Sequence, residues 1–175
     1  MESVSSPRSR EYRQRAATFS DRLPERERTL LTVQTAVVAN TLDETEMALL
    51  YDYLERYPDD PDGWYLLGEV GLHAWSATGV TDAELEEALY RTVELDPTFG
   101  PYYEHALQWA TAKGHRGQYE SLIAAAEEID HSPERMDRMR VRWALFQGDD
   151  AEYATAEAGL AERSLDDLAR IDQVA

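Results

Sequence analysis

With 175 residues and a net charge of −18, the chain has the length of about one domain and enough material to bury a core. It contains no cysteine, which excludes a disulfide framework and a thiolate metal site. The first residues lack the apolar segment of a signal peptide, and no run is apolar enough to span a membrane. We therefore expect a soluble chain, with the cytoplasm as the favoured compartment.

The charge is unevenly distributed along the chain. Residues 1–28 carry seven arginines against five acids, whereas residues 41–130 carry twenty acids against four basic residues. The acidic middle would repel nucleic acid, so nucleic acid is not an expected partner. Residues 1–23 are expected to form an Arg-rich helix or a partly disordered arm.

Apolar residues recur at helical spacing almost throughout, and no stretch alternates as a strand would. Capping boxes predict helix starts at Asp43–Glu46, Thr81–Glu84 and Asp149–Glu152, and Ser132 before Pro133 predicts another. Stops are predicted at Tyr57-Pro58, Asp96-Pro97, Lys113-Gly114 and Gln147-Gly148. The sequence therefore predicts an all-α chain of about eight helices joined by short turns.

A period of 34 residues indicates repeated helix pairs. Gly114 and Gly148 are 34 residues apart, as are Tyr119 and Tyr153. Trp64 and Tyr103 are 39 apart, and the excess falls between His73 and Val80. This period is typical of helix-turn-helix solenoids.

Residues 64–68, WYLLG, followed by residues 88–97, ALYRTVELDP, resemble one tetratricopeptide repeat. The segments LPERERTLL, RYPDDPDGWYLLGEV and LDPTFGPYYEHAL are similar to repeat regions of bacterial eukaryotic-type Ser/Thr kinases and some transcriptional activators. The resemblance implies antiparallel helix pairs over residues 24–163, stacked as a short right-handed superhelix. Residues 164–175 would be a capping or truncated helix. Trp64 would fill the gap within its helix pair, and Gly68 would let the second helix approach.

The acidic stretch before this repeat also allows a calcium hypothesis. Asp60, Asp62, Gly63 and Glu69 fall where an EF-hand loop places ligands and its glycine. Pro58 stands at the first ligand position and has no side-chain oxygen, so we expect a repeat junction instead.

The sequence contains no recognisable active-site motif. The phosphate-loop, nucleophile-elbow, zinc-protease and dinucleotide motifs are all missing, and the four histidines include no pair at the i, i+4 spacing of a helical metal site. We expect a non-enzymatic protein without cofactors or metals.

The first helix of each predicted pair is expected to pack through one stripe of residues: Leu30, Val33 and Val37; Trp64, Leu67, Gly68 and Gly71; and Tyr103, Ala106, Leu107 and Ala110. The resemblance implies a concave face that binds another protein. The face opposite the packing stripes would supply eleven residues: Leu31, Thr35, Val38, Tyr65, Glu69, Leu72, His73, Glu104, His105, Gln108 and Thr111. This face is apolar, aromatic and acidic, so it favours a protein or peptide segment with basic and apolar residues. The expected function is that of a scaffold module in signalling or regulation.

Three features leave alternatives open. A DNA-linked regulator could use the Arg-rich N-terminus or the helix from Arg135 to Arg142, although intramolecular ion pairs are the favoured role of those arginines. Trp75 could face a partner, although local packing is favoured. Leu165, Leu168 and Ile171 form an apolar stripe with no following helix to cover it. Either the natural chain continues beyond it, or the stripe folds back, or it forms a homodimer with a second copy.

Overall fold

The computed structural model describes residues 11–12, 15–16, 18–39, 41–73, 78–129, 133–148 and 150–161. All regular structure in these ranges is helical, and they contain no β-strand, which confirms the predicted all-α class. A short 3₁₀ turn at Ser20–Arg22 precedes the first long helix. None of the helices in these ranges has the length and apolar character needed to cross a membrane.

Eight α-helices follow the 3₁₀ turn within the described part of the chain: α1 (Glu25–Ala39), α2 (Glu44–Arg56), α3 (Pro61–His73), α4 (Asp82–Leu95), α5 (Pro101–Lys113), α6 (Arg116–Glu128), α7 (Pro133–Phe146) and α8 (Asp150–Ala161). Helices α6 and α8 begin 34 residues apart, in agreement with the sequence period.

Neighbouring helices pack as pairs within two compact units, Met1–Leu95 and Asp96–Ala175. In the first unit α1 packs on α2, α3 packs on α4, and α3 also contacts α1 and α2. In the second unit α5 packs on α6, α7 packs on α8, and α7 also contacts α5 and α6. Each unit therefore has the same order of helix contacts. The right-handed course expected for the stack stays a prediction.

Two of the predicted capping boxes are formed. The Thr45 amide donates to Asp43 Oδ1 over 2.7 Å, and the Asp43 amide donates to Glu46 Oε2 over 3.1 Å. In the second box the Thr81 amide donates to Glu84 Oε2 over 2.8 Å, and the Glu84 amide donates to Thr81 Oγ1 over 3.3 Å. These bonds satisfy amides that a helix N-terminus otherwise leaves unpaired. The predicted caps Ser132 and Asp149 lie outside the described residues.

The four predicted helix stops are confirmed, because α2, α4, α5 and α7 end at Arg56, Leu95, Lys113 and Phe146. Gly114 ends α5 in the left-handed conformation with φ of 70°, which a residue with a side chain adopts only at a cost. Its amide donates to the carbonyls of Ala110 and Thr111. The chain can therefore turn into α6 within two residues.

The core of the first unit confirms the predicted close approach at Gly68. A Cβ on Gly68 would lie 2.8 Å from Leu89 Cδ2 of α4, and one on Gly71 would lie 2.9 Å from Leu85 Cδ1. Leu67 and Val70 are buried on the same helix. The two glycines thus let the leucines of α4 pack against the backbone of α3.

Trp64 is less enclosed than the sequence predicted. Its side chain is half-buried, and the indole N–H donates to the Pro58 carbonyl over 2.8 Å. The ring lies beside Tyr90 and Arg91 of α4, where a cavity remains open. The indole is therefore hydrogen-bonded to the residues that precede α3, and its ring is only partly buried between α3 and α4.

In the second unit the predicted packing stripe of α5 is confirmed. Tyr103, Ala106, Leu107 and Ala110 are each at most 2% exposed. The Tyr103 hydroxyl donates to the Pro97 carbonyl over 2.9 Å, so its polar end is satisfied at the edge of the core.

Candidate binding groove

An open groove lies between the exposed edges of α1 and α3 in the first unit and has a volume of about 270 Å³. We call it the α1–α3 groove. Its walls are formed by four residues from each helix: Leu30, Gln34, Val37, Val38, Asp62, Tyr65, Leu66 and Glu69.

The spacing of these residues explains why they share a groove. On α1 they recur at i, i+4, i+7 and i+8, and on α3 at i, i+3, i+4 and i+7, which places each set on one helical face. On α3 the core residue Leu67 lies on the opposite face, whereas on α1 the core residue Val33 is three and four positions from Leu30 and Val37 and adjoins the groove face. The groove is therefore bordered by the core, and Leu66 in its wall is only 7% exposed.

The groove is mainly apolar, with acidic groups on the α3 wall. Val38 is 40% exposed, and Tyr65 is half-buried beside it. Asp62 is exposed, whereas the Glu69 side chain is 22% exposed and its Oε2 lies 3.9 Å from His73 Nε2. The described residues that line the groove include no arginine or lysine. Its electrostatic character is therefore negative.

Three of the residues predicted for the concave face line this groove: Val38, Tyr65 and Glu69. Leu31, Thr35 and Leu72 are half-buried, and the Thr35 hydroxyl donates to the Leu31 carbonyl over 2.6 Å. His73 is exposed at the end of α3 and contacts Glu69.

Several residues of this groove were not predicted from the sequence. Leu30 and Val37 were assigned to the packing stripe, but both are half-buried and line the groove. Gln34, Asp62 and Leu66 were not singled out. The signal was weak because α1 carries apolar residues on more than one face, so its period alone does not separate the core from the groove.

The four residues predicted for α5 behave differently. Glu104, His105 and Gln108 are half-buried, but Thr111 is 2% exposed and its hydroxyl donates to the Leu107 carbonyl over 2.8 Å. Thr111 therefore belongs to the core and has almost no surface for a partner. The error arose because a small hydroxyl can be buried once it bonds the preceding turn.

Glu104 forms ion pairs within the second unit. Its carboxylate pairs with Arg135, and its Oε2 lies 3.2 Å from Arg138 Nη2. Burial lowers the pKa of the Arg138 guanidinium, and the neighbouring cations Arg135 and Arg142 lower it further. The arrangement holds α7 against α5.

The expected intramolecular ion pairs of the Arg-rich helix are confirmed for three of its four arginines. Besides Arg135 and Arg138, Arg140 pairs with Glu127 and lies 3.4 Å from Asp137. Arg142 is exposed. Because most of this positive charge is neutralised by nearby acids, the α7 surface is poorly suited to bind phosphate groups.

The acidic residues of the calcium hypothesis do not form a loop. Helix α3 begins at Pro61, so Asp62, Gly63 and Glu69 are helical and cannot wrap around an ion. Asp60 is 4% exposed and caps this helix, because its Oδ1 accepts the Asp62 amide over 3.1 Å. The segment is a junction between helix pairs, as the sequence favoured.

Asp60 is also the acceptor of a polar network that the sequence did not reveal, in which Asp60 and Tyr53 are buried and the Arg26 side chain is 50% exposed. Its Oδ2 lies 2.7 Å from Arg26 Nη2 and 2.9 Å from Arg26 Nε, and it accepts a hydrogen bond from the Tyr53 hydroxyl. Burial and the bond to Asp60 raise the pKa of Tyr53 to about 12. The pKa of Arg26 is also raised, first by its bond to Tyr53 and then by Asp60.

Several residues singled out in the sequence lie outside the described part of the chain. They are Trp75, His131, Leu165, Leu168 and Ile171. Pairing or folding back of the C-terminal segment, residues 164–175, therefore stays a prediction.

The fold and the groove define an all-helical protein of neighbouring helix pairs with an acidic, apolar surface groove. Comparison with protein-family models, curated proteins and solved structures gives no significant match. The tetratricopeptide resemblance therefore stays an expectation.

Proposed function

We propose that the chain is a non-enzymatic scaffold module that binds a protein or peptide segment carrying basic and apolar residues. The α1–α3 groove is the proposed binding site. The observation that carries the proposal is an open groove with apolar walls and two carboxylate residues, Asp62 and Glu69, whose described lining residues include no arginine or lysine.

The chemistry of the groove determines the expected ligand. Apolar side chains of a partner would be buried against Val37, Val38 and Tyr65, and this burial would supply most of the affinity. An arginine or lysine of the partner would be oriented by Asp62 and Glu69, which favours basic over acidic segments. At about 270 Å³ the groove suits a few anchoring side chains rather than a whole domain.

The wider role is proposed from the sequence resemblance. The order of helix contacts within each unit supports a tetratricopeptide-like module, because such modules stack their helices pair on pair. We assign it to signalling or regulation in the bacterial cytoplasm. Binding, rather than catalysis, is then the property to be tested.

A fluorescein-labelled model peptide that alternates arginine and leucine tests the proposal by fluorescence anisotropy on the full chain. We expect it to bind, and a peptide with glutamate in place of arginine to bind at least about tenfold more weakly. Glu69→Lys and Tyr65→Ala should each weaken binding of the arginine peptide about tenfold, because one reverses a groove charge and the other removes an aromatic wall.

The matched control is Glu55→Lys, which changes the net charge equally on an exposed part of α2 outside the groove. It should reduce binding much less than Glu69→Lys at physiological salt. Equal effects of the two substitutions, or equal binding of the two peptides, would refute the proposed site.

A further inference from the structure

The open cavity beside Trp64 in the first unit is not part of the α1–α3 groove. It lies between α3 and α4 and has a volume of about 470 Å³, within the range of small-molecule sites. We call it the α3–α4 cavity. The described residues that line it are Pro58, Trp64, Glu87, Tyr90, Arg91 and Glu94. None of these six lines the α1–α3 groove, so the two sites are separate.

Two aromatic side chains form part of the cavity wall. Trp64 and Tyr90 are both half-buried, so each keeps part of its surface accessible. Their polar atoms do not contribute to this surface, because the indole N–H donates to the Pro58 carbonyl over 2.8 Å and the Tyr90 hydroxyl oxygen is buried. The accessible part of both side chains is therefore mainly ring carbon. The faces of such rings carry negative charge and attract cations.

The charged residues around the cavity are mostly acidic. Glu87 is exposed, and within the described part of the chain it has neither a hydrogen bond nor an ion pair. Arg91 Nη1 lies 3.3 Å from Glu94, and its Nη2 lies 3.2 Å from Asp59. Three carboxylates therefore stand against one guanidinium, and the surroundings of the cavity carry a net negative charge. A cationic ligand is favoured over an anionic one.

The aromatic wall also determines which kind of cation fits. A primary ammonium or a guanidinium group loses bound water when it enters a cavity, and it needs hydrogen-bond acceptors in exchange. The accessible ring carbons of Trp64 and Tyr90 offer none, and the side chains of Glu87 and Glu94 are exposed to water. A quaternary ammonium ion has no hydrogen-bond donor. It is therefore the cation that ring surfaces accommodate at the lowest desolvation cost.

We infer that the α3–α4 cavity binds a small molecule that carries a quaternary ammonium group and no anionic group. The ammonium group contacts the accessible rings of Trp64 and Tyr90, and Glu87 and Glu94 supply the complementary charge. Because this site shares no lining residue with the α1–α3 groove, it can be tested independently of the peptide-binding proposal.

Titration of the nitrogen-15-labelled full chain with choline, followed by amide and indole chemical shifts, tests the inference. We expect saturable binding with the largest shifts at the Trp64 indole and on α4 between Glu87 and Glu94. The analogue 3,3-dimethyl-1-butanol has the shape of choline without its charge, and it should bind at least about fivefold more weakly. Phosphocholine carries the same ammonium group with the anionic phosphate of a lipid headgroup, and the acidic surroundings should weaken its binding by a similar factor.

Two variants test the location. Glu87→Gln should weaken choline binding about threefold, because it removes a charge and keeps the shape of an exposed side chain. Trp64→Phe should weaken it about fivefold, because a phenyl ring attracts a cation less strongly than an indole. Glu44→Gln is the matched control for charge, because Glu44 is exposed at the start of α2 and Pro58 follows the end of that helix. It should bind choline like the wild type.

Three results would overturn the inference. The first is the lack of a saturable shift at Trp64 and on α4 when choline is added to the intact chain. The second is binding of 3,3-dimethyl-1-butanol or phosphocholine that is as tight as that of choline. The third is unchanged choline affinity in both Glu87→Gln and Trp64→Phe, each with a native circular dichroism spectrum.

Discussion

Replacing Asp60 by alanine removes the acceptor that joins α1, α2 and α3. In the structure its two oxygens accept bonds from Arg26, Tyr53 and the Asp62 amide, and the residue is 4% exposed. The substitution therefore deletes an ion pair, a bond from a buried phenol and a helix cap in one step.

The expected cost is about 3 kcal/mol of the free energy of unfolding. Loss of hydrogen bonds to a charged group contributes about 1.5 to 3 kcal/mol, and loss of the cap adds about 1 kcal/mol. Removing one partner of a fully buried pair typically costs about 3 to 5 kcal/mol. The Arg26 side chain is 50% exposed, so water can solvate the released guanidinium, which places the total at the lower end.

Equilibrium unfolding in urea, followed by far-ultraviolet circular dichroism and tryptophan fluorescence, measures this change. The melting temperature should fall by about 6 to 12 °C. Asp59→Ala is the matched control, because Asp59 is 83% exposed and makes a surface pair with Arg91 over 3.2 Å. Its effect should stay below about 1 kcal/mol. A loss of less than about 1 kcal/mol for Asp60→Ala, or equal losses for the two variants, would refute the role assigned to the network.

Three further changes follow from the structure. Glu104→Gln should destabilise the second unit by about 3 kcal/mol in urea, because two largely buried arginines lose their shared carboxylate. Trp64→Ala should cost about 2 kcal/mol in the same assay, less than for a fully buried indole, because the ring is half-buried. Raising the pH from about 10 to 12 should also lower the free energy of unfolding. The unfolded chain loses its phenolic protons near pH 10, whereas the folded chain keeps those of Tyr53 and Tyr119 to about pH 12. Each of the two phenols should therefore cost about 1.4 kcal/mol per pH unit in this range.

Each of these three predictions has a control or a result that would contradict it. Glu120→Gln removes an exposed carboxylate that lies 3.7 Å from Arg116, and it should change stability by less than about 0.5 kcal/mol. If Glu104→Gln also changed the free energy of unfolding by less than about 0.5 kcal/mol, the pairs of Glu104 with Arg135 and Arg138 would not have the stabilising role assigned to them. The difference in ultraviolet absorbance between the wild type and Tyr53→Phe or Tyr119→Phe follows the ionisation of each phenol, and titration of either phenol near pH 10 in the folded protein would contradict the alkaline prediction. A loss of more than about 4 kcal/mol for Trp64→Ala would show that the indole is more enclosed than the structure indicates.

Local signals in the sequence were sufficient to predict where several helices begin and end. The pairs Asp43–Glu46 and Thr81–Glu84 cap their helices as predicted, and Gly114 ends α5, because each device acts within a few residues of its own position. The approach of α4 to Gly68 was also predictable from a glycine on an otherwise apolar face.

The sites were harder to predict because they depend on contacts between distant residues. Asp60 meets Arg26 from 34 positions earlier, and Glu104 meets Arg138 from 34 positions later. Spacing within one helix carries no information about such pairs. For the same reason Leu30 and Val37 were assigned to the core, although they face the groove.

The most direct test of the account is the location of a bound peptide. Backbone amide chemical shifts of the nitrogen-15-labelled full chain, titrated with the arginine–leucine peptide, report that location residue by residue. We expect the largest shifts on α1 between Leu30 and Val38 and on α3 between Asp62 and Glu69. Saturable binding with its largest shifts in the second unit, or no shift in the α1–α3 groove, would contradict it.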